Sequence, residues 1–155
     1  MADGKAAAGM SILALCLALP LVGIAALHAY WGVGGVWPGT DGASCARTVA
    51  GFRGMEAMPP PTACFAVALV VVVMALVALA LGGWYAEPIG PAHLAGMALF
   101  IGLVLLGRGA LGFTPWWRRL APEQPFARLD RRYYSPLLVL LGLGFLALAF
   151  AGLAA

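Results

Sequence analysis

The chain has 155 residues, of which 63% are hydrophobic and only 10% are charged. Soluble domains are about 45–50% apolar and about 25% charged, so this composition excludes an ordinary water-soluble domain. The nine lysine and arginine residues, set against six aspartate and glutamate residues, give a net charge of +3. In so apolar a chain they indicate membrane topology and anionic-lipid contacts, and they do not indicate nucleic-acid binding. We expect one membrane domain over residues 1–155.

Four apolar segments are long enough to cross about 30 Å of hydrocarbon as helices, which takes about 20 residues each. They cover approximately residues 10–31, 63–84, 94–113 and 137–155. Their apolar residues are continuous and do not alternate, and an open sheet would leave backbone groups unpaired in lipid. The sequence therefore predicts an all-α membrane protein, an antiparallel four-helix transmembrane bundle, with glycine and alanine at the helix contacts.

Proline and glycine mark the connections between these spans. Pro38 and the prolines at 59–61 bound the first connection, and the run 87–91 makes a short second turn. Pro20 lies inside the first span and predicts a kink there. Pro136 is predicted to open the fourth span, at a position where a missing N–H costs little.

The cations are distributed very unevenly between the two ends of the predicted bundle. Eight of the nine lie in the first connection, in the third connection or at the adjoining end of the third span, and only Lys5 lies on the other side. Because cytoplasmic loops carry the excess of lysine and arginine, we expect loops 36–62 and 114–135 to be cytoplasmic. The N- and C-termini are then outside a multi-pass protein of the cell inner (plasma) membrane.

The cysteines, histidines and carboxylates argue against redox, haem, zinc and proton-transport chemistry. Cys16, Cys45 and Cys64 form no C-x-x-C motif and are expected to be free thiols. His28 and His93 fall at opposite ends of the bundle, roughly 25 Å apart, so one haem iron cannot take both. No carboxylate lies within a predicted span, which disfavours a proton-coupled transporter. We expect no cofactor and no metal.

Arg108 is the charged residue inside a predicted span, where a charge costs up to about 3 kcal/mol without a partner. It either snorkels to the headgroups or turns inward to meet Asp130 or the anionic head of a ligand. Chain direction brings His28 and Trp31 to the same end as Tyr134, and the first two share one helix face. We predict a ligand site formed by these five residues. The alternative is that His28 is a satisfied polar residue and the aromatic rings form an interfacial belt.

The third connection leaves and re-enters the membrane through paired aromatic and basic residues. Aromatic side chains favour the interface, and each cation near an anionic leaflet contributes about 1 kcal/mol of attraction. The predicted membrane-interface anchors are Trp116, Trp117, Arg118, Arg119, Arg131, Arg132 and Tyr133.

Two motifs carry a resemblance to a known family. Residues 27–37 read LHxYW-x-x-GG-x-W, and residues 126–137 read FxRxDxxYYSPL. They resemble the signatures of small bacterial four-span integral membrane proteins that are catalogued as a domain of unknown function. The resemblance implies a four-helix protein of the bacterial inner membrane and supplies no catalytic residue. Leu138 departs from a cysteine that is expected in many relatives, so no thiol chemistry is inferred there.

The sequence leaves three functions open. The first is a non-enzymatic protein that binds a lipid-like or anionic amphiphile at a cytoplasmic-side pocket. There Arg108 pairs with Asp130 or with the head group. The second is an inner-leaflet membrane enzyme that uses His28 as acid or base, oriented by Asp130. The third is a structural or accessory subunit of a membrane complex. The expected partners are accordingly membrane lipids, an amphiphilic ligand or a membrane protein, with no nucleic acid.

Overall fold

The computed structural model describes residues 2–86 and 89–154, and every regular element in these ranges is helical. Glu87 and Pro88 of the predicted second turn, and Ala155 at the end of the predicted fourth span, lie outside the described residues. The elements in chain order are α1 (Ala2–Gly32), α2 (Gly42–Val49), α3 (Pro61–Leu81), α4 (Pro91–Leu111), α5 (Pro115–Leu120), α6 (Phe126–Leu129), a π-helical turn (Asp130–Tyr134) and α7 (Ser135–Ala154).

Four of these helices, α1, α3, α4 and α7, are long and apolar enough to cross a membrane. The predicted all-α fold with four membrane-spanning helices is therefore confirmed. Helices α3 and α4 begin at Pro61 and Pro91, slightly before the predicted spans. Proline is well suited to the first helical position, because its fixed φ is helical and its missing N–H would be unpaired there in any case.

The bundle consists of two antiparallel helix pairs, α1 with α3 and α4 with α7. At one end of the first pair the Ser11 hydroxyl donates to the Gly82 carbonyl at 2.6 Å, and Trp84 Nε1 donates to the Ser11 carbonyl at 3.1 Å. At its other end Gly32 lies against the ring of Phe65. The two pairs meet less extensively, α1 against α7 and α3 against α4. Close packing is therefore concentrated within the pairs, and two looser seams run between them.

Apolar side chains fill the centre of the bundle and also cover its outside. Leu21, Phe145 and Leu148 are buried where the helices meet. Leu19, Phe100 and Leu140 are exposed on the outer surface, as helices in contact with lipid require. Lipid tails are as apolar as these side chains, so helix association here depends on close van der Waals packing.

Glycines let α4 and α7 approach each other closely. A Cβ added to Gly102 would lie 3.0 Å from the Gly142 carbonyl oxygen, and one added to Gly109 would lie 3.0 Å from the Ser135 carbonyl oxygen. Gly107, on another face of α4, has no described heavy atom within 4 Å of such a Cβ. The predicted role of glycine at helix contacts is therefore confirmed for Gly102 and Gly109.

The sequence predicted that the fourth span begins at Pro136, but in the structure the helix begins earlier. The helical backbone is continuous from α6 through the π-helical turn into α7, and the Ser135 N–H donates to the Asp130 carbonyl, five residues back. In an α-helix the ring of Pro136 would clash with the Arg132 carbonyl. The wider π-helical turn immediately before the proline relieves that crowding, so the helix extends back to Phe126.

The first and third connections are hydrogen-bonded to each other at the end of the bundle where the π-helical turn lies. The Glu123 N–H donates to the Gly51 carbonyl at 3.1 Å, and the Gly54 N–H donates to the Glu123 carboxylate at 3.4 Å. Gly51 has a φ of +66°, and a Cβ there would overlap the buried ring of Phe126. Glycine is thus required for the two connections to meet and form a common cap.

Helix α2 belongs to this cap and has its own start signal. The Ser44 N–H donates to the Asp41 carboxylate at 2.7 Å, and the Asp41 N–H donates to the Ser44 hydroxyl at 3.1 Å, which is a capping box. The hydrogen bonds from Ser44 hold the pKa of Asp41 below its ordinary value of 3.8. Cys45, in the first turn, is buried, and that burial raises the pKa of its thiol. The thiol therefore contributes to packing and is poorly placed for redox chemistry.

Alanine substitutions at Gly102 and Gly107 should have opposite effects. Gly102→Ala pushes α4 away from α7 and should lower the free energy of unfolding by about 1–3 kcal/mol, as overpacking does. Gly107→Ala, in the same helix, adds helix propensity without a clash and should raise it by up to about 1 kcal/mol. Denaturant titration in mild detergent, followed by circular dichroism, measures both. Equal effects of the two substitutions would contradict the close approach of α4 and α7.

Candidate functional site

A buried carboxylate lies where α4, α5 and the π-helical turn meet. The Asp130 side chain is 0% exposed. Its Oδ1 is 3.0 Å from Arg108 Nη2 and accepts a hydrogen bond from the Ser135 hydroxyl at 3.2 Å. Its Oδ2 accepts from Trp117 Nε1 at 3.1 Å and is 3.5 Å from Arg118 Nη2. These five residues form what we call the ion cluster.

Arg108 is held in this cluster by an ion pair and by an aromatic ring. Its guanidinium carbon lies 4.1 Å from the centroid of the Trp117 ring, and its side chain is 30% exposed. Its second terminal nitrogen, Nη1, is buried with no hydrogen-bond partner among the described residues. Arg108 therefore turns inward to Asp130, one of the alternatives that the sequence left open. A charge near the end of a span is in this way compensated inside the protein.

Arg118 extends the cluster to the backbone of two further segments. It donates to the carbonyl oxygens of Gly112, at the end of α4, and of Ala127, in α6. A Cβ on Gly112 would overlap the Ser135 hydroxyl and lie 3.1 Å from Asp130 Oδ2. Glycine at this position therefore lets the carboxylate reach both guanidinium groups, and the cluster joins α4, α5, α6 and the turn before α7.

A separate cavity of about 420 Å³ lies beside the cluster, at the seam between α1 and α7. Its aliphatic wall is formed by Ile24 and Leu27 of α1, Val49 of α2, and Leu137 and Leu138 of α7. The volume is within the range of about 300–1,000 Å³ that is usual for small-molecule sites. The cavity is thus large enough for a ligand and is mostly apolar.

Aromatic and polar residues complete the wall of the cavity. His28 and Trp31 pack edge to face, with ring centroids 4.9 Å apart, and Tyr134 lies on the α7 side. Trp31 Nε1 donates to the Trp37 carbonyl at 2.7 Å, and the Cys45 thiol donates to the same oxygen at 3.6 Å. These bonds hold the backbone of Trp37, a residue that also lines the cavity.

The five predicted ligand-site residues therefore occupy two adjacent places. His28, Trp31 and Tyr134 line the cavity, whereas Arg108 and Asp130 belong to the ion cluster and are not among its lining residues. The π-helical turn connects the two places, because Asp130 begins it and Tyr134 ends it. Binding of a ligand by any of the five stays a prediction.

The seven predicted interface anchors also divide. Trp117 and Arg118 make their polar contacts with Asp130 and the neighbouring backbone, and are partly buried. The surface left to the membrane interface consists of the exposed anchors, which are Trp116, Arg119, Arg131, Arg132 and Tyr133. Their contact with lipid headgroups stays a prediction.

The proposed orientation of His28 by Asp130 is wrong. The Asp130 carboxylate is surrounded by the ion cluster, and His28 Nδ1 bonds instead to the Ile24 carbonyl of its own helix at 2.9 Å. Within the described part of the chain, the carboxylate accepts hydrogen bonds from Arg108, Trp117 and Ser135, and none comes from His28. Among residues 2–86 and 89–154, no group of three His, Cys, Asp or Glu side chains is placed to hold a metal ion.

Sequence reasoning did not identify Ser135 and Gly112 as parts of the ion cluster, or Val49 and Trp37 as parts of the cavity wall. Gly112 lies one helical turn after Arg108. A glycine at that position was the sequence feature that could have indicated a close approach of another segment to α4. Val49 and Trp37 reach the cavity only through the folding of the first connection, which no periodicity in the sequence describes.

The profile of the family described as "Protein of unknown function (DUF3995)" matches residues 21–145 of this chain. The match covers most of the sequence and includes both the cavity and the ion cluster, so the chain belongs to this family. A comparison with curated proteins and one with solved structures each found no match.

Proposed function

We propose that this protein is a non-enzymatic membrane protein that binds a lipid-like amphiphile in the cavity between α1 and α7. The observation that carries the proposal is the cavity itself, because it combines a continuous aliphatic wall with two polar side chains, His28 and Tyr134. Pockets of this composition bind ligands by apolar contact and fix their orientation with a few polar groups.

The position of the cavity in the bundle favours a ligand that comes from the membrane. Two membrane-spanning helices, α1 and α7, supply most of its aliphatic wall, and Trp37 and Val49 of the first connection also line it. A molecule with an apolar body along α1 and α7 and a polar end near the cap fits this arrangement. Trp31 packs on the apolar part, and His28 and Tyr134 hydrogen-bond to the polar end.

Arg108 has an indirect role in this proposal. Its Nη2 pairs with Asp130, and its guanidinium stacks on Trp117, so it holds the π-helical turn that ends at Tyr134. The sequence left open whether Arg108 pairs with Asp130 or with a ligand head group. The contacts favour the pairing with Asp130.

A tryptophan introduced into the cavity should expel the ligand. Leu138→Trp fills the cavity, whereas Leu140→Trp adds the same side chain to a lipid-facing position of the same helix that is 66% exposed. Mass spectrometry of the protein purified in mild detergent should find a discrete amphiphile with the wild type and with Leu140→Trp. The same molecule should be absent from Leu138→Trp.

Circular dichroism and gel filtration check that both variants fold. If Leu138→Trp does not fold, Tyr134→Phe provides a milder test of the same cavity. The same bulk lipids in all samples would contradict the ligand site. That result would favour the role of a structural or accessory subunit.

We also infer that the capped end of the bundle faces the cytoplasm and that the protein lies in a bacterial inner membrane. The basis for the orientation is charge, since eight of the nine cations lie at or next to the cap. The bacterial inner membrane is what the family resemblance implies. The exposed anchors, among them Trp116, Arg119 and Tyr133, are then positioned for the anionic headgroups of the inner leaflet.

Single cysteines at the two ends test this orientation in intact cells. In a background with Cys16, Cys45 and Cys64 replaced by alanine, Ala92→Cys at the start of α4 should react with a membrane-impermeant thiol reagent. Glu56→Cys, on the exposed surface of the cap, should react only after permeabilisation. The reverse pattern would overturn the orientation.

A further inference from the structure

The cavity wall contains two polar groups whose hydrogen-bonding capacity is not used within the protein, and they indicate the chemistry of the ligand's polar end. We infer that the cavity selects an amphiphile with an uncharged, hydroxyl-bearing polar end over one with an anionic head. This inference rests on the proposed function and names the class of ligand for the same site.

His28 presents an acceptor. Its Nδ1 is 2.9 Å from the Ile24 carbonyl oxygen, and because a carbonyl only accepts, Nδ1 carries the proton. In the neutral ring this leaves Nε2 with a free lone pair. Nε2 makes no hydrogen bond to any of the described residues. Its natural partner is an O–H donor on the ligand.

Tyr134 presents a group that both donates and accepts. Its ring packs against Phe126, with ring centroids 5.9 Å apart, and its hydroxyl makes no hydrogen bond within the described part of the chain. The indole N–H of Trp31 is not available in the same way, since it donates to the Trp37 carbonyl at 2.7 Å. A ligand hydroxyl that reaches both groups would donate to His28 Nε2 and accept from the Tyr134 hydroxyl.

Among the described residues, no lysine or arginine lines the cavity. The guanidinium groups of Arg108 and Arg118, in the adjacent ion cluster, contact the Asp130 carboxylate and neighbouring carbonyls. An ionised carboxylate or phosphate in the cavity would lose its hydration without gaining a counter-charge, which is costly. A neutral hydroxyl avoids that cost, and this difference is the basis of the selectivity.

Two photoreactive probes of equal chain length separate these ligand classes. One is a diazirine-bearing long-chain alcohol, and the other is the corresponding carboxylic acid, ionised at neutral pH. With the full-length protein in mild detergent, the alcohol should label residues of the cavity wall such as Leu137 and Leu138, and excess unlabelled alcohol should suppress the labelling. Labelling of the same residues by the acid should require a concentration at least about tenfold higher.

Two neighbouring tyrosines supply a matched pair of variants. Tyr134→Phe removes one hydrogen bond to the alcohol and should weaken its binding about three- to tenfold. Tyr133→Phe removes the same hydroxyl from an exposed ring and should leave binding unchanged. Neither change removes a hydrogen bond within the protein among the described residues, so both variants should fold.

The outcomes distinguish failure of this inference from failure of the proposed function. Labelling of the cavity wall by the acid as efficiently as by the alcohol would overturn the selectivity while supporting a ligand cavity. Equal effects of Tyr133→Phe and Tyr134→Phe would also overturn it. If neither probe labels the cavity wall in a way that unlabelled alcohol suppresses, the proposed function fails, and this inference fails with it.

Discussion

Asp130 is a carboxylate without exposed surface at the end of an apolar bundle, and its charge has to be compensated within the protein. An uncompensated buried charge costs several kcal/mol, so the surrounding chain is organised to supply partners. Two guanidinium groups, an indole N–H and a hydroxyl converge on it, from α4, α5 and the first residue of α7. Gly112 is small enough to leave room for them. The carboxylate thereby fixes how the last helix joins the rest of the protein, which apolar packing in lipid specifies only weakly.

The cavity depends on this arrangement through the π-helical turn. Asp130 is the first residue of the turn and Tyr134 is the last, so the contacts that fix one end of the turn also set the position of the tyrosine ring. On the opposite wall His28 and Trp31 come from α1, which packs mainly on α3 and only lightly on α7. The cavity thus lies at a seam between two tightly packed helix pairs. Arg108 and Arg118 pair with Asp130 and do not line the cavity, whose wall is apolar and neutral polar.

Length and composition were sufficient to predict the four spans, because continuous apolar segments in lipid have helix as their main solution. The pairing of Arg108 with Asp130 was also within reach, since a charge inside a span demands a partner at the same end. The sequence could not predict that those two residues are separate from His28, Trp31 and Tyr134. That separation depends on the wide turn before Pro136, which a sequence pattern registers only as a proline near a helix start. The contacts of Trp117 and Arg118 could not be predicted either. An aromatic and basic pair next to a span has the same sequence pattern whether it faces lipid or a buried carboxylate, and that pattern predicts an interfacial anchor.

A double-mutant cycle on Arg108 and Asp130 tests the central claim most directly. The free energy of unfolding in mild detergent is measured for the wild type, Arg108→Gln, Asp130→Asn and the double variant. A control cycle uses Glu56→Gln in place of Asp130→Asn, because Glu56 is an exposed carboxylate of the cap. The ion cluster predicts a coupling energy of about 1.5–3 kcal/mol between Arg108 and Asp130. The control cycle should be additive within about 0.5 kcal/mol. Additivity in both cycles would contradict the account, because the carboxylate would then not hold this end of the bundle through its arginine partner.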